Sequence, residues 1–387
     1  MRILMLTEEY PPKIVGGISR VVYDLSHEMS RNGHEVHVIT SSVDKAEEFE
    51  NDKGVMVHRI HTIKDNENLI EAIHKFNLSI VEYVSKLINN TGKFTIIHAH
   101  DWTVAFAAKA LKNVYGISLV STIQAIDSIR NIDSQTETQK YIDYTRYSLA
   151  EESDKVICNS KYMLNEITHV YKIPICKLSV IPNGINPDKF NGIERDYTFR
   201  RKYALDNEKI IFFVGRIFPE KGADVLLQSV PKILNQFSSV KFIIGGSGPQ
   251  LEYLKENALS MGVEKNVDFV GFIKDRDLPK LFKSSDIMVI PSLYEPFGIV
   301  ALEGMISGVP VVVSDTGGLA EIIQQNYNGI KVPPGDSDLL AEGILKFLQN
   351  KNLAEICIKN AINTVKKLYM WQNIANCTLD IYIKAIK

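Results

Sequence analysis

The sequence predicts an α/β protein made of two doubly wound domains, each with a parallel sheet between layers of helices. Its 387 residues exceed what a single hydrophobic core usually serves, so the length favours two domains over one large domain. Short apolar runs alternate with longer stretches of helical period, which is typical of parallel α/β layers. The alternation starts again after residue 184, so the second half repeats the architecture of the first.

Six apolar runs in the first half are predicted to be strands: residues 2–6, 35–40, 55–60, 95–98, 118–123 and 155–158. Helices are expected between most of them, and the best defined is 68–90, where apolar residues recur at spacings of three and four. The charges on its polar face balance in sign. This favours packing on a core over a basic helix at a membrane surface.

The turn cluster 181–184 and the polar stretch 186–206 after it predict a domain linker. Five further strands follow, at residues 209–214, 241–244, 267–270, 286–290 and 309–313. No short-period repeat or low-complexity tract appears in the sequence, which excludes a solenoid or a linker array. Ligand sites at the carboxyl ends of two such sheets can face one another across a cleft.

Composition and charge narrow the class of function. Apolar residues make up 45% and charged residues 23%, as in a globular protein. The net charge of −2 offers no long-range attraction for nucleic acid or for an anionic membrane, so neither partner is expected. The spacing of the four cysteines suggests no zinc site or disulfide framework and favours a reducing cytosol. Since no apolar stretch approaches the ~20 residues of a spanning helix and no signal peptide is visible, we expect a cytoplasmic protein without an integral membrane segment.

The first candidate site is the pair Gly16 and Gly17, which follows the first strand and opens a predicted helix. Paired glycines at this point let backbone N–H groups approach a phosphate at the positive end of the helix. A tight strand-to-helix turn without a ligand is an equally good interpretation of this feature taken alone.

The second candidate site joins Arg216, just past a predicted strand, with Lys221 at the start of the next helix. Both cations can project into one crevice at the carboxyl end of the strand and hold a diphosphate there. Each alone would more often be a solvated surface charge. Their coincidence in one loop at the end of a strand favours a binding role.

The third candidate site is the loop from Glu295 to Gly298, together with Glu303 eight residues after Glu295. Gly298 and the N–H groups beside it would form a helix amino terminus that binds phosphate, while the two carboxylates could accept sugar hydroxyls. The alternative is that Glu295 only complements the dipole of the helix.

The fourth candidate site is the run from His98 to Trp102 at the end of a predicted strand. Alternation places His98 and His100 on one side, but no third or fourth ligand can be named, so no metal site is predicted. His100 lies nearer the loop and is the better candidate for hydrogen bonding to a sugar or an acceptor. The alternative is an imidazole that is satisfied inside the first domain.

Other nucleotide-binding motifs are absent or incomplete. The sequence has no GxxxxGK[ST] loop, and the run from Gly246 to Pro249 is half of a dinucleotide fingerprint. These observations disfavour a nucleotide kinase and a dehydrogenase.

Taken together, these motifs resemble glycosyltransferase family 4, a large group of retaining enzymes with the GT-B fold, over nearly the whole chain. The motifs are Glu9-Tyr10-Pro11-Pro12 with Gly16-Gly17, Ile181-Pro182-Asn183-Gly184-Ile185, Val214-Gly215-Arg216 with Glu220-Lys221-Gly222, Gly246-Ser247-Gly248-Pro249, the pair Glu295 and Glu303, and Asp315-Thr316-Gly317-Gly318. Within the family, the run from His98 to Trp102 is similar to the glycogen and starch synthase branch, where a comparable histidine lies beside the transferred glucose.

The resemblance implies two Rossmann-like domains that face a central cleft, with the last helix crossing back onto the first domain. We expect the first domain to comprise residues 1–187 and 367–387, and the donor domain to comprise residues 188–366. The residues expected to be catalytic are His100, Arg216, Lys221 and Glu295; in the family, the counterparts of the two cations hold the diphosphate and that of Glu295 binds the sugar. The substrate-binding positions are Gly16, Gly17, Phe297, Gly298, Ile299, Val300 and Glu303, the last of them on the nucleotide ribose.

The function that the resemblance implies is transfer of a hexose, with glucose expected, from a nucleotide-diphosphate sugar to an acceptor hydroxyl. An α-glucan is the expected acceptor, as in glycogen synthase, and no metal or separate cofactor is expected. The alternatives are a lipid-linked or small-molecule acceptor in cell-envelope polysaccharide synthesis, and a non-catalytic sugar-nucleotide-binding protein. Two positions depart from the pattern of the synthases: Lys13 stands one position early in the first loop, and Gln124 stands where the family often has a histidine.

Overall fold

The computed structural model of the chain describes residues 1–14, 16–43, 46–61, 68–126 and 136–386. These residues form two compact units. Unit 1 comprises Met1–Gly184 and Trp371–Lys387, and unit 2 comprises Ile185–Met370. Within the described ranges, no helix is both long enough and apolar enough to cross a bilayer.

In both units, strands alternate with helices along most of the part of the chain that the structure describes. In chain order they are β1 (Arg2–Leu6), β2 (Glu35–Ser41), β3 (Phe49–Asp52), β4 (Val55–Ile60), β5 (Ile96–His100), β6 (Ser118–Ile123), β7 (Lys155–Cys158), β8 (Leu178–Val180), β9 (Lys209–Val214), β10 (Val240–Gly245), β11 (Val267–Gly271), β12 (Ile287–Ile290), β13 (Val311–Ser314) and β14 (Ile330–Val332).

The helices that the structure describes follow most of these strands. In chain order they are α1 (Gly17–Arg31), α2 (Leu69–Thr91), α3 (Ala105–Tyr115), α4 (Glu137–Glu152), α5 (Lys161–Tyr171), α6 (Tyr197–Arg200), α7 (Ala223–Gln236), α8 (Leu251–Ser260), α9 (Leu278–Ser284), α10 (Ile299–Ile306), α11 (Gly317–Ile322), α12 (Ser337–Gln349), α13 (Lys351–Leu368) and α14 (Trp371–Ile386).

The sheet of unit 1 has the strand order β3-β4-β2-β1-β5-β6-β7-β8. Its described pairs are parallel apart from β3, which runs antiparallel to β4 at one edge. Alternating side chains, such as Ala99 and Cys158, enter a core formed with α2, α3, α4 and α5. His98 and His100 therefore lie on the opposite face, where α14 contacts β6 and β7 and also packs against α1.

The sheet of unit 2 has the order β11-β10-β9-β12-β13-β14, and all of its described pairs are parallel. Both faces are apolar and buried: Ile211 and Phe213 face one core cluster, while Ile210 and Phe212 face the other. A parallel sheet that is covered by helices on both faces needs such continuous apolar strands. Each unit therefore has the predicted doubly wound α/β architecture.

The strand predictions agree with the structure at the centres of the sheets. The predicted bounds of β1, β4, β6, β7 and β9 are observed without change. The run predicted at 95–98 was placed too early, since β5 extends to His100. The strands β3, β8 and β14 were missed because each is a short edge strand with little apolar sequence to distinguish it.

The prediction that residues 186–206 form a linker was wrong. Phe190, Phe199 and Ala204 are buried in a core cluster of unit 2. Arg200 is also buried, and its guanidinium lies 3.2 Å from the carboxylate of Asp286 at the amino end of β12. The stretch appears polar in sequence because most of its residues face solvent, while a few widely spaced anchors attach it to the unit.

The chain passes between the two units twice, and the two passages lie side by side. The N–H of Ile185 donates to the carbonyl of Tyr369 at 2.8 Å, and Ile185 forms a parallel bridge with Met370. One residue before Ile185, Gly184 packs so closely on the Trp371 ring that a side chain would collide with it. The two units divide between Gly184 and Ile185 and again between Met370 and Trp371.

Candidate functional site

Two of the predicted site residues meet directly at the carboxyl edge of the unit 2 sheet. The ammonium nitrogen of Lys221 lies 2.7 Å from Oε2 of Glu295, although the two residues are far apart in the chain. Both side chains are mostly buried. Since β9 and β12 are neighbours in the sheet, the loops that follow them carry the two residues to one place.

These loops approach each other so closely that several positions have no room for a side chain. A Cβ at Gly222 would collide with the carbonyl of Pro291, and one at Gly317 would collide with the carbonyl of Glu295. The N–H of Gly318 donates to that same Glu295 carbonyl at 2.9 Å. The backbone of Glu295 is therefore held by the segment that follows β13, while Gly222 packs against the start of the same loop at Pro291.

Arg216 lies in the loop after β9 with about half of its side chain exposed. Its guanidinium is 3.3 Å from Glu220 and 5.0 Å from the centre of the Phe218 ring. These weak surface contacts leave the guanidinium accessible to an anion.

The glycine-rich run after β10 supports the Arg216 loop, a role that the sequence did not indicate. A side chain at Gly246 would collide with the carbonyl of Gly215, and one at Gly248 would collide with the backbone of Ile217. The N–H of Ile217 donates to the carbonyl of Ser247 at 2.8 Å. Both glycines have positive φ, at 136° and 159°, so the bare backbone is required for shape as well as for space.

The helix α10 begins next to Glu295 and presents its positive end. Gly298 caps it with φ at 105°, and the first turn contains no acidic residue and receives no described side-chain cap. The N–H groups of Ile299 and Val300 are therefore available to an anionic group. Glu303, one turn later on this helix, is buried.

The side chain of Phe297 belongs to the core of unit 2. It is 4% exposed and packs against Tyr369, with the ring centres 6.1 Å apart. The backbone groups of Phe297, and not its side chain, could contact a substrate.

His100 in unit 1 is a buried residue whose hydrogen-bonding capacity is unused. It is 1% exposed, and within the described residues neither of its ring nitrogens has a hydrogen-bond partner. Burial lowers the pKa of His100 to about 3, so the imidazole is neutral at physiological pH. The sequence left open whether this ring was satisfied inside the domain, and the structure shows that it is not.

His98, by contrast, is fully satisfied beneath His100. Its Nδ1 lies 2.7 Å from the hydroxyl of Tyr382, and its Nε2 lies 2.7 Å from that of Thr122. Its ring packs on that of His100, with the centres 4.0 Å apart. Burial and the neighbouring His100 hold the pKa of His98 well below its usual value. Among the described residues, no three His, Cys, Asp or Glu side chains are grouped so as to hold a metal ion.

Gln124 and Asn159 also carry unused polar atoms, and with those of His100 they form a polar row in unit 1. Asn159 was missed by the sequence analysis. Gln124 and Asn159 follow β6 and β7 directly, and Nδ2 of Asn159 lies 3.3 Å from Oε1 of Gln124. Nε2 of Gln124 and Oδ1 of Asn159 are buried without a described partner. Because buried polar atoms are nearly always paired, such a row indicates a place for a ligand or for ordered water. The available signal was a polar residue just past the end of a strand.

Asp101 shapes the backbone immediately after His100. Its φ of 64° is unfavourable for a residue with a side chain. Its carboxylate accepts the N–H of Trp102 at 2.8 Å and lies 2.6 Å from the buried guanidinium of Arg146. The ion pair between Asp101 and Arg146 offsets the backbone strain at Asp101 and directs the chain away from the carboxyl end of β5.

Gly16 caps helix α1, and Gly17 is the first residue of that helix. The N–H of Gly16 donates to the carboxylate of Glu9 at 3.0 Å. A protein carboxylate thus already occupies part of the helix end that the sequence suggested for a phosphate. Gly16, Gly17 and His100 all lie at the carboxyl edge of the unit 1 sheet.

Sequence models of two families match successive parts of the chain. The model described as Glycosyltransferase Family 4 matches residues 15–189, and the model described as Glycosyl transferases group 1 matches residues 196–364. The boundary between the two matches lies close to that between the structural units.

The relatives match over the full length. The chain is 39% identical over 388 residues to the uncharacterized glycosyltransferase MJ1607 of Methanocaldococcus jannaschii, covering 99% of this chain and 98% of that protein. It is 29% identical over 400 residues to glycogen synthase of Mycobacterium tuberculosis, covering 100% of this chain and 95% of that enzyme.

The fold is also that of a solved glycosyltransferase. The structure superposes on sucrose-phosphate synthase from Thermosynechococcus elongatus with a TM-score of 0.84 at 22% identity, covering 99% of this chain and 98% of that one. Such a likeness establishes the two-unit GT-B fold. With the end-to-end match to the archaeal relative and the two family models, it shows that this chain belongs to the glycosyltransferases of family 4.

Proposed function

We propose that this protein transfers a hexose, with glucose as the expected sugar, from a nucleotide-diphosphate sugar to a glycan hydroxyl, with retention of configuration. The observation that carries the proposal is the contact between Lys221 and Glu295 beside the open amino end of α10. One place then offers cationic and N–H groups for a diphosphate, and a carboxylate for a sugar hydroxyl.

The donor diphosphate would be held by Lys221, by Arg216 and by the first N–H groups of α10. The exposed guanidinium of Arg216 can turn from Glu220 towards an incoming anion, because its present contact is long and solvent-accessible. Lys221 holds one carboxylate oxygen of Glu295, so the other can accept a hydrogen bond from the sugar.

The polar row in unit 1 supports a sugar or acceptor site of neutral character. His100, Gln124 and Asn159 together present unused donors and acceptors that are uncharged. Hydroxyl groups, which both donate and accept, complement such a set. The full-length similarity to a glycogen synthase supports a glucan as the acceptor.

The reaction would proceed on one face of the sugar. The acceptor hydroxyl attacks the anomeric carbon from the side on which the diphosphate leaves, so the bond to the acceptor oxygen forms as the bond to the phosphate oxygen breaks. The hydroxyl proton passes to an oxygen of the departing diphosphate. Lys221, Arg216 and the helix N–H groups stabilise the charge that develops there, as preorganised donors do in other active sites.

The experiment that tests this proposal is a donor and acceptor panel. The protein is incubated with UDP-, ADP- or GDP-glucose, with and without glycogen or maltooligosaccharides, and both released nucleotide and lengthened glycan are measured. We expect release that depends on the glucan, with α-linked product. A protein that binds the donor but releases no nucleotide with any acceptor would be a sugar-nucleotide-binding protein. Transfer confined to lipid-linked or small-molecule acceptors would replace the glucan.

A further inference from the structure

The amino end of α1 is occupied by a carboxylate from the same chain. Oε2 of Glu9 accepts the N–H of Gly16 at 3.0 Å. The backbone of Glu9 is itself anchored, since the hydroxyl of Thr7 lies 3.0 Å from its carbonyl and 3.3 Å from its N–H. A helix end complemented in this way has little remaining attraction for a phosphate, and the carboxylate repels one.

The cationic side chains along this edge of the unit 1 sheet also have partners. Lys13 lies 2.5 Å from Glu8. At the carboxyl end of β4, the guanidinium of Arg59 lies 2.8 Å from Glu50. Arg146 is bound to Asp101, and Arg20 and Lys161 also interact within the chain. A phosphate bound here would have to break one of these pairs or displace Glu9.

The side chains of His100, Gln124 and Asn159 along this edge are neutral. The strands β1, β5, β6 and β7 are consecutive in the sheet. His100 is the last residue of β5, while Glu9, Gln124 and Asn159 lie just past the ends of β1, β6 and β7. The row spans about 15 Å, because neighbouring strands lie about 4.8 Å apart. Apart from the carboxylate of Glu9, the row offers uncharged donors and acceptors.

We propose that unit 1 selects an uncharged, hydroxyl-bearing acceptor and excludes one that carries a phosphate, and that Glu9 sets this preference. The inference rests on the proposed transferase function for its kinetic consequence, and its consequence for binding is independent of transfer. Glu9 would accept a hydrogen bond from an acceptor hydroxyl, and the same carboxylate would repel an acceptor phosphate.

The kinetic test compares acceptors that differ only in a phosphate, such as glucose with glucose 6-phosphate and maltose with its phosphate. With UDP- or ADP-glucose as donor, we expect kcat/KM to favour the neutral member at least tenfold. Glu9→Gln should reduce that preference at least tenfold, mainly because the phosphorylated acceptor improves. Glu82→Gln removes the same charge from an exposed pair with Lys86 and should leave the preference unchanged.

A binding test separates this inference from the proposed function. The two tryptophans, Trp102 and Trp371, both lie in unit 1, so their fluorescence can follow titration with maltose, glucose 6-phosphate or inorganic phosphate. The phosphorylated ligands should bind Glu9→Gln at least tenfold more tightly than wild type, with an advantage that falls as salt rises. Glu9→Asp keeps the charge and should keep the exclusion. The melting temperature of each variant confirms that it is folded.

The outcomes differ for the two proposals. If no acceptor is glycosylated but neutral sugars still bind in preference to phosphorylated ones, the transferase function fails and the present inference stands. A wild-type protein that binds or uses the phosphorylated acceptor tenfold better would overturn the inference. So would a folded Glu9→Gln protein with an unchanged preference.

Discussion

The hydroxyl of Tyr382 lies 2.7 Å from Nδ1 of His98 and connects the last helix of the chain to strand β5. The other ring nitrogen of His98 is bound to Thr122, and the ring of His100 rests on it. Helix α14 thus holds the surface on which His100 lies. Tyr382, on the last helix, thereby positions His100 through His98.

The substitution Tyr382→Phe tests this relationship. It leaves Nδ1 of His98 buried without a partner, at a cost of about 1–3 kcal/mol, which should loosen the packing beneath His100. We expect kcat to fall roughly tenfold with little change in the donor KM, measured well below the melting temperature. Tyr144→Phe, on an exposed tyrosine of α4, is the matched control and should leave kcat unchanged. Equal loss in both variants would argue against a positioning role for Tyr382.

Removal of the donor-side cations should lower turnover much more than stability. For Lys221→Ala and Arg216→Ala, we expect each to cost about 2–4 kcal/mol in the transition state, or roughly 30- to 1000-fold in kcat/KM. Lys232→Ala removes a lysine of the same unit from a largely exposed ion pair and should leave kcat/KM near wild type. Turnover near that of wild type in either site variant, with saturating donor, would remove that residue from the site.

The role of Gly246 can be separated from the general cost of its backbone conformation. Gly246→Ala should disrupt the loop that carries Arg216, because the new methyl group collides with the carbonyl of Gly215. Gly92→Ala is the matched control, since Gly92 also has a positive φ outside the αL region, at 92°, but has room for a Cβ, so backbone strain of roughly 1–3 kcal/mol is its main cost. Differential scanning calorimetry and the donor KM should both change more for Gly246→Ala. Equal effects would mean that the contact with Gly215 is unimportant.

Stability should decrease as the pH falls from about 6.5 towards 4, because burial lowers the pKa of several histidines in unit 1, among them the pair His37 and His58. Nδ1 of His37 lies 2.9 Å from Nε2 of His58, and burial together with His37 lowers the pKa of His58 to about 4. A group whose pKa is lower in the folded state than in the unfolded chain binds protons preferentially after unfolding, so acid favours unfolding. Urea unfolding at pH 7, 6, 5 and 4 should show this loss, and His58→Phe should show a shallower one. A wild-type stability that does not change over this range would contradict the prediction.

The sequence by itself determined the order of the elements and the positions of several chemical groups along them. β1, β4, β6, β7 and β9 were predicted with their observed bounds because apolar runs between turns depend on local sequence alone. For the same reason, residues that immediately follow a strand, such as Arg216, could be placed at a carboxyl edge in advance.

The tertiary structure decided which of these positions meet. The contact between Lys221 and Glu295 depends on β9 and β12 being neighbours, an order that arises from packing across the whole sheet and not from local period. Residues 186–206 belong to unit 2 because of three buried anchors that only a formed core can engage. The unused polar atoms of His100 and Asn159 likewise became visible only once burial was known, since whether a polar atom is satisfied depends on every group folded around it.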